Sequence, residues 1–406
     1  MTAPWLFLIG IGEGGRAELT AKARTLLRAA ALVVGGERHL TLAQEDIAGE
    51  TLAWPTPLRD ALPKILARRG EPVAVLASGD PFNYGIGARL AALVPREEMR
   101  CLPAPSTFSL AAARLGWSLP DLDCVSLCGR PLETLAPWLQ PGRRLLILSA
   151  DETTPAAVAT YLTQRGFGES ELTLLEAMGG PREGVATSVA KDFAPNAPNR
   201  LNCLAVALVA AGDAQVIPLA PGLEDSLFES DGQLTKREIR ALTLSALAPR
   251  AGELLWDIGC GSGSIAIEWL LRHPANRAVG IEPQAERRAR AEANAATLGV
   301  PRLELVAGEA PEALEDLPPP DAIFIGGGGS AEALVETAWA ALKPGGRIVA
   351  NAVTIETEGR LGRCLRELGG SLTRLSVERS DRVGGFNAFR PAMTVTQWRA
   401  VKPCAG

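Results

Sequence analysis

Short unbroken apolar runs alternate, along the first half of the chain, with longer stretches whose apolar positions recur every three or four residues. The short runs predict strands over 6–10, 31–35 and 73–77. The spaced pattern predicts helices over 18–30, 58–69 and 85–93. Later runs predict strands over 144–148, 171–176 and 203–208. Strands that read as continuous apolar runs, with helices between them, point to α/β layering.

The rhythm breaks at AAGDAQVIPLAPGLEDSLFESDG, 210–232, where Pro, Gly and Asp concentrate as they do at domain boundaries. A first domain over 1–210, a linker over 211–228 and a second domain over 229–406 are expected. A helix at 235–248 then opens a new alternation. Strands are expected at 253–258, 277–281, 303–307, 321–325 and 346–350, and helices at 264–273, 286–298, 311–314 and 331–342. This is a complete doubly wound sheet by itself. The halves share no convincing repeat and read as two different α/β domains.

Composition narrows the chemistry. The chain has 406 residues, is 47% hydrophobic and 21% charged, and carries a net charge of −5. No basic footprint suggests a nucleic-acid or membrane binder, and no apolar segment approaches the length of a membrane span. The seven cysteines form no CxxC pair and read as reduced thiols of a cytoplasmic protein. Only two histidines are present, so no metal is expected, and a Ser-His-Asp triad is hard to build. His39 and His273 each follow an expected helix and are assigned to the surface.

The second half carries LLWDIGCGSGSIAIEWL, 254–270: an apolar run, Asp257, then Gly259, Gly261 and Gly263 before a helix. Glycines let backbone leave the strand sharply and approach a ligand, and the helix N-terminus offers free N–H groups. The spacing and the acid differ from the dinucleotide fingerprint. Asp257 suits a ligand bearing an ammonium or sulfonium and would repel a pyrophosphate. Glu282 ends the second strand, where a carboxylate can accept both ribose hydroxyls; Glu309 and Ala310 follow the third, a place for adenine contacts. This combination resembles the class I S-adenosylmethionine methyltransferases over about 250–350. The resemblance implies a substrate-facing loop after strand four, here Gly326, Gly327 and Gly328 with Gly329 and Ser330.

The first half opens with LIGIGEGG, which looks like a Rossmann start, but no acid ends its second strand. SGDPFNYGIG, 78–87, and PAPSTFSLAAARLG, 103–116, follow instead. Together these resemble the tetrapyrrole methylases, which hold S-adenosylmethionine in a cleft between two α/β subdomains. The resemblance places Gly10, Gly12, Gly79, Asp80, Pro81, Ser106 and Thr107 on its cofactor motifs.

The expected fold is therefore α/β: an N-terminal tetrapyrrole methylase fold of two α/β subdomains, then a C-terminal Rossmann-like class I methyltransferase domain. Two methyl-donor folds in this order, with GLEDSLFESDGQLTKREIR at 222–240, resemble the decarboxylating precorrin-6Y C5,15-methyltransferase family of cobalamin biosynthesis. The resemblance implies one S-adenosylmethionine per domain, a polycarboxylate tetrapyrrole substrate methylated at carbons 5 and 15 and decarboxylated to precorrin-8X, and a homo-oligomer. An acidic protein binding a polyanion needs local positive charge. Arg382 and Arg390, flanking VGGFNAF, are favoured over Arg374, Arg379, Arg399 and Lys402, with Lys236 and Arg237 as candidates from the other side. No catalytic residue or proton donor is assigned. Alternatives are a methyltransferase acting on another tetrapyrrole or on RNA, and a fused NAD(P)-dependent dehydrogenase.

Overall fold

The computed structural model describes residues 4–326 and 333–404. The chain divides into two compact units, one of residues 1–132 and 138–215, the other of 133–137 and 216–406.

The first unit begins with β1 (Leu6–Ile11), α1 (Ala21–Ala29), β2 (Leu32–Gly35), α2 (Glu37–Ala43), β3 (Glu50–Ala53), α3 (Leu62–Leu66), β4 (Val73–Ser78), α4 (Gly87–Ala91) and β5 (Met99–Leu102). Its five strands are parallel and ordered β3-β2-β4-β1-β5. Alternate residues feed opposite faces: Leu6, Leu8, Val73 and Val75 pack on one side, and Ile9, Ile11, Ala74 and Leu76 on the other. Both faces are covered, which is why these strands read as unbroken apolar runs. The helix expected from residue 18 starts at Ala21, because Thr20 caps it by accepting from the Ala23 amide at 3.2 Å. The helix expected over 58–69 shrinks to α3 behind a short 3-10 turn.

A second sheet follows in the same unit. After α5 (Thr107–Leu115) come β6 (Asp123–Ser126), β7 (Arg144–Leu148), α6 (Thr154–Gln164), β8 (Glu171–Glu176), β9 (Gly184–Val189) and β10 (Asn202–Ala207). The strand order is β6-β7-β10-β8-β9, with β10 antiparallel to both neighbours.

The second unit contains α7 (Arg237–Leu247), β11 (Leu254–Ile258), α8 (Ser264–Arg272), β12 (Arg277–Ile281), α9 (Ala285–Thr297), β13 (Glu304–Val306), β14 (Ala322–Ile325), α10 (Leu334–Ala341), β15 (Arg347–Ala352) and α11 (Ile355–Leu368). It ends with β16 (Ser371–Leu375), the hairpin β17 (Glu378–Val383) and β18 (Phe386–Pro391), and β19 (Val395–Val401). The seven-stranded sheet runs β13-β12-β11-β14-β15-β19-β16, with β19 antiparallel. Trp256, Trp269 and Trp398 are fully buried in this unit.

Residues 219–236 are strapped onto the sheet's helices. Arg240 and Glu268 are a fully buried ion pair. Glu268 also accepts from the Gly222 and Leu223 amides at 2.7 and 2.9 Å, and Arg272 donates to the Leu219 carbonyl. Asn294 bonds Glu229 through both amide and carbonyl, and reaches the Ser262 carbonyl at 3.0 Å. Among the described residues no helix is long and apolar enough to cross a membrane.

Candidate active sites

The C-terminal cleft lies at the carboxyl ends of β11 and β14. The strand order reverses there, the position at which doubly wound sheets take ligands. The cleft measures about 620 Å³ and is lined by Asp257, Gly259, Gly261 and Gly326, with Gly232–Lys236 of the strap opposite. Gly259, Gly261 and Gly263 have φ of 71°, 54° and 78°, the left-handed region that glycine enters at no steric cost. A Cβ on Gly261 would meet only the Gln233 carbonyl, at 3.9 Å, so the space beside it is cleft. Both the Gly259 and Cys260 amides donate to the Ile281 carbonyl, at 2.9 and 3.1 Å, fixing the loop to β12.

Asp257 is 1% exposed. Its Oδ2 accepts from the Ala266 amide at 3.0 Å, while Oδ1 is buried without a partner. Burial pushes its pKa up to about 7; the Ala266 bond opposes this and nearby Glu282 adds to it. Glu282 lies behind the loop and accepts from the Gly261 amide at 3.1 Å and the Gln284 amide at 3.0 Å. Gly263 also stands behind the cleft wall, as the N-cap of α8. Glu309 is exposed and Ala310 half-buried beyond β13; neither lines the cleft. Gly327 and Gly328 fall outside the described residues.

The favoured arginines lie elsewhere than expected. Arg382 and Arg390 sit on the β17–β18 hairpin, whose strand residues are all exposed, and Arg390 pairs with Asp381 at 3.1 Å. Neither lines the cleft; Arg379 and Lys236 do. Arg382 lies toward the hairpin turn, and Arg390, although it faces Arg379 in register, is drawn to Asp381, whereas Arg379 pairs with Glu238 of α7. Lys402 instead donates to the Trp339, Ala340 and Leu342 carbonyls at the end of α10, at 2.7 to 2.9 Å.

The N-terminal cleft, about 330 Å³, is bounded by both sheets of the first unit. Gly12, Gly79, Asp80, Ser106 and Thr107 line it; Gly10 and Pro81 do not. Gly10 is required by close approach: a Cβ there would fall 1.9 Å from the Gly79 carbonyl oxygen. The Gly79 amide donates to Ile11 and its carbonyl accepts from Ala104, both at 3.1 Å, so the three turns form one floor. Asp80 accepts from the Phe82 amide at 2.8 Å, and Ser106 caps α5 by accepting from the Ser109 amide at 3.1 Å.

The surface assignment of His39 is overturned. It lies within α2, half-buried, and lines this cleft with Nε2 2.9 Å from Ser78 Oγ. Burial, then the Arg38 charge, lowers its pKa to about 4. Packing of α2 against the end of β4 brings it there, and nothing in the local sequence signals this. Ser149 and Asn202 also line the cleft, on β7 and β10 edges; their Oγ and Oδ1 atoms are buried without partners. Buried polar groups are normally satisfied, so these atoms, with Asp257 Oδ1 in the other cleft, fit a polar ligand such as S-adenosylmethionine.

The family model of tetrapyrrole (corrin/porphyrin) methylases matches residues 6–194, and that of the precorrin methyltransferase domain matches 226–402. A Sinorhizobium sp protein named precorrin-6Y C(5,15)-methyltransferase [decarboxylating] is 53% identical over 402 residues, 99% of this chain and 97% of that protein. The chain belongs to the decarboxylating precorrin-6Y C(5,15)-methyltransferase family. Two shorter relatives of this family's parts also match. One from Pyrobaculum calidifontis, named "Probable cobalt-precorrin-6B C(15)-methyltransferase (decarboxylating)", is 36% identical over 44% of this chain and 96% of its own. One from Salmonella typhimurium, named cobalt-precorrin-7 C(5)-methyltransferase, is 30% identical over 47% of this chain and 96% of its own. The methyl donor of the family is S-adenosylmethionine.

Proposed function

We propose that the chain carries out two C-methylations of precorrin-6Y, at carbons 5 and 15, with loss of the ring C acetate carboxyl as carbon dioxide, giving precorrin-8X. The supporting observation is that one chain carries two separate clefts on unrelated sheets, each with a glycine turn at a strand end and buried polar atoms awaiting a partner. Shorter relatives named for the carbon-5 and carbon-15 reactions separately support assigning one reaction to each cleft. The tetrapyrrole methylase domain, 1–210, takes carbon 5. The class I domain, 229–406, takes carbon 15 and the decarboxylation, with 211–228 as connection. One S-adenosylmethionine binds per domain, and the protein works as a cytoplasmic homo-oligomer.

Bound S-adenosylmethionine supplies an electrophilic methyl group. In the C-terminal cleft Asp257 would meet the donor's positive charge with its unpartnered oxygen, and Glu282 would offer its remaining lone pairs to the ribose hydroxyls past the Gly261 amide that it holds. Gly261 and Gly326 leave room for the donor and the flat macrocycle. In the N-terminal cleft Gly12, Gly79 and Asp80 shape the donor's floor, with Ser149 and Asn202 across from them. The enamine-like carbons of a reduced tetrapyrrole need no strong protein base, so each cleft mainly aligns carbon, methyl and sulfur. Carbon dioxide leaves as the C–C bonding pair passes into the conjugated macrocycle, and a proton taken up from solvent then completes the methyl group left at the side-chain carbon.

Mass spectrometry of precorrin-6Y incubated with the full chain and methyl-labelled S-adenosylmethionine tests this reading. Two labelled methyls gained and one carbon dioxide lost are expected. A product with methyls but no loss of carbon dioxide would refute the decarboxylation.

A further inference from the structure

Positive charge gathers at the N-terminal cleft from three elements that are distant in sequence. Arg38 comes from α2 and lines the cleft half-buried. It pairs with Glu13 and donates to Ser78 Oγ at 3.0 Å, with His39 Nε2 at 2.8 Å. Arg200 lines the same cleft from the segment before β10. Arg182 stands in the turn between β8 and β9, two residues after Gly180, where a Cβ would fall 2.7 Å from that of Glu13 on the cleft wall, and its charge, after burial, helps lower the basicity of Arg38.

Neither Arg182 nor Arg200 has a hydrogen-bond or ion-pair partner among the described residues, and both backbones are held. The turn carrying Arg182 is closed by Glu183, which accepts from the Gly179 amide at 2.7 Å and is gripped by Arg114 at 2.6 and 3.0 Å. The segment carrying Arg200 is tied by the Leu201 amide to Asn199 Oδ1 at 2.9 Å, and by Asn202 Nδ2 to the Asn199 carbonyl at 2.8 Å.

Like charges brought together from separate elements repel, and in a chain of net charge −5 no bulk excess of cations accounts for them. The opposing acids on the cleft wall are already engaged: Glu13 with Arg38, and Asp80 with the Phe82 amide. The methyl donor carries a single carboxylate beside its ammonium and sulfonium, and so does not account for three guanidinium groups. An anion would, and the planar guanidinium fork matches a carboxylate with two parallel hydrogen bonds.

We infer that Arg38, Arg182 and Arg200 form the carboxylate-binding edge of the N-terminal cleft, gripping the acidic side chains of the tetrapyrrole while carbon 5 faces the methyl donor. The inference rests on the function proposed above and names residues for it. Arg38 is the fixed member, oriented by Glu13, Ser78 and the uncharged His39. Arg182 and Arg200 are the free members that close on the substrate.

The test uses the full chain with Arg182→Ala, Arg200→Ala, the double variant and Arg200→Lys. Precorrin-6Y and S-adenosylmethionine are supplied over a range of tetrapyrrole concentrations, and products are counted by mass. The alanine variants should accumulate a product with one added methyl that has lost carbon dioxide. Their KM for the second methylation should rise roughly ten- to a hundredfold per arginine, the scale of lost hydrogen bonds to a charged group. The rate at saturating substrate and the affinity for S-adenosylmethionine should stay near wild type, and Arg200→Lys should fall between. Unchanged KM in the double variant, or a defect that saturating substrate does not relieve, would overturn the inference. Wild-type protein adding no methyl at all would remove the function on which it rests, an outcome visible without any variant.

Discussion

Asp257 sets how the C-terminal site responds to pH. An ordinary aspartate ionises near pH 4, whereas this one holds its proton to about 7 because it is buried beneath the glycine loop. The ligand-free fold thus binds an extra proton between those values, and this group's contribution to stability declines as pH rises through that window. A positively charged ligand favours the ionised form. Binding of S-adenosylmethionine at this site should therefore release a proton, and its affinity should fall up to about tenfold per pH unit below 7. Calorimetric titration in buffers of different ionisation enthalpy measures both effects. Asp257→Asn should abolish the proton release; a pH-independent affinity in the wild type would show that Asp257 does not face the charge. At this scale the sequence was informative where chemistry is local. Asp257, the glycines beside it and Asp80 were legible because strand, turn and helix start are adjacent in the chain. His39 and Arg38 were not, because only the packing of α2 brings them to a cleft, and Arg379, one of the candidate arginines, could not be ranked above Arg382 and Arg390 without the contact of the hairpin with α7.

The strap over 219–236 depends on one buried charge pair. Arg240 and Glu268 are both fully inaccessible, and Glu268 alone satisfies two strap amides besides Arg240. Glu268→Ala removes the fully buried partner of the Arg240 guanidinium and leaves it only Asp225, at 3.1 Å, and the Thr235 and Leu223 carbonyls, which should cost up to about 3–5 kcal/mol. Chemical denaturation should show that loss in the transition of the second unit. The variant should also bind S-adenosylmethionine less tightly there, since Gly232–Lys236 form the facing wall. A loss below about 1 kcal/mol would mean that the strap holds by the packing of Leu223 and Phe228 and the Asn294 and Arg272 hydrogen bonds without help from this pair. Most strands, and the helices with a clean apolar stripe, were readable from periodicity. α11 was not: Gly359 and Gly362 interrupt it, and tertiary packing of Leu361 and Cys364 overrides that weak propensity. α2 is only seven residues long and carries little periodic signal. β19, although an apolar-rich run, is an antiparallel insertion after the hairpin, which the doubly wound pattern does not anticipate.

At the scale of the whole molecule, the central claim is that each cleft performs its own methylation and that carbon dioxide loss belongs to the C-terminal one. Gly261→Leu should block that cleft without collapsing its wall, since the new side chain projects into open space, although φ of 54° adds backbone strain. Asp80→Ala removes the carboxylate from the floor of the N-terminal cleft and the turn it holds around Phe82. The deciding measurement is the mass of the product that each variant makes from precorrin-6Y and labelled S-adenosylmethionine. The account predicts no carbon-15 methyl and no loss of carbon dioxide from Gly261→Leu, and one methyl with carbon dioxide lost from Asp80→Ala. Retention of the carboxyl by Asp80→Ala, together with its loss from Gly261→Leu, would contradict the account.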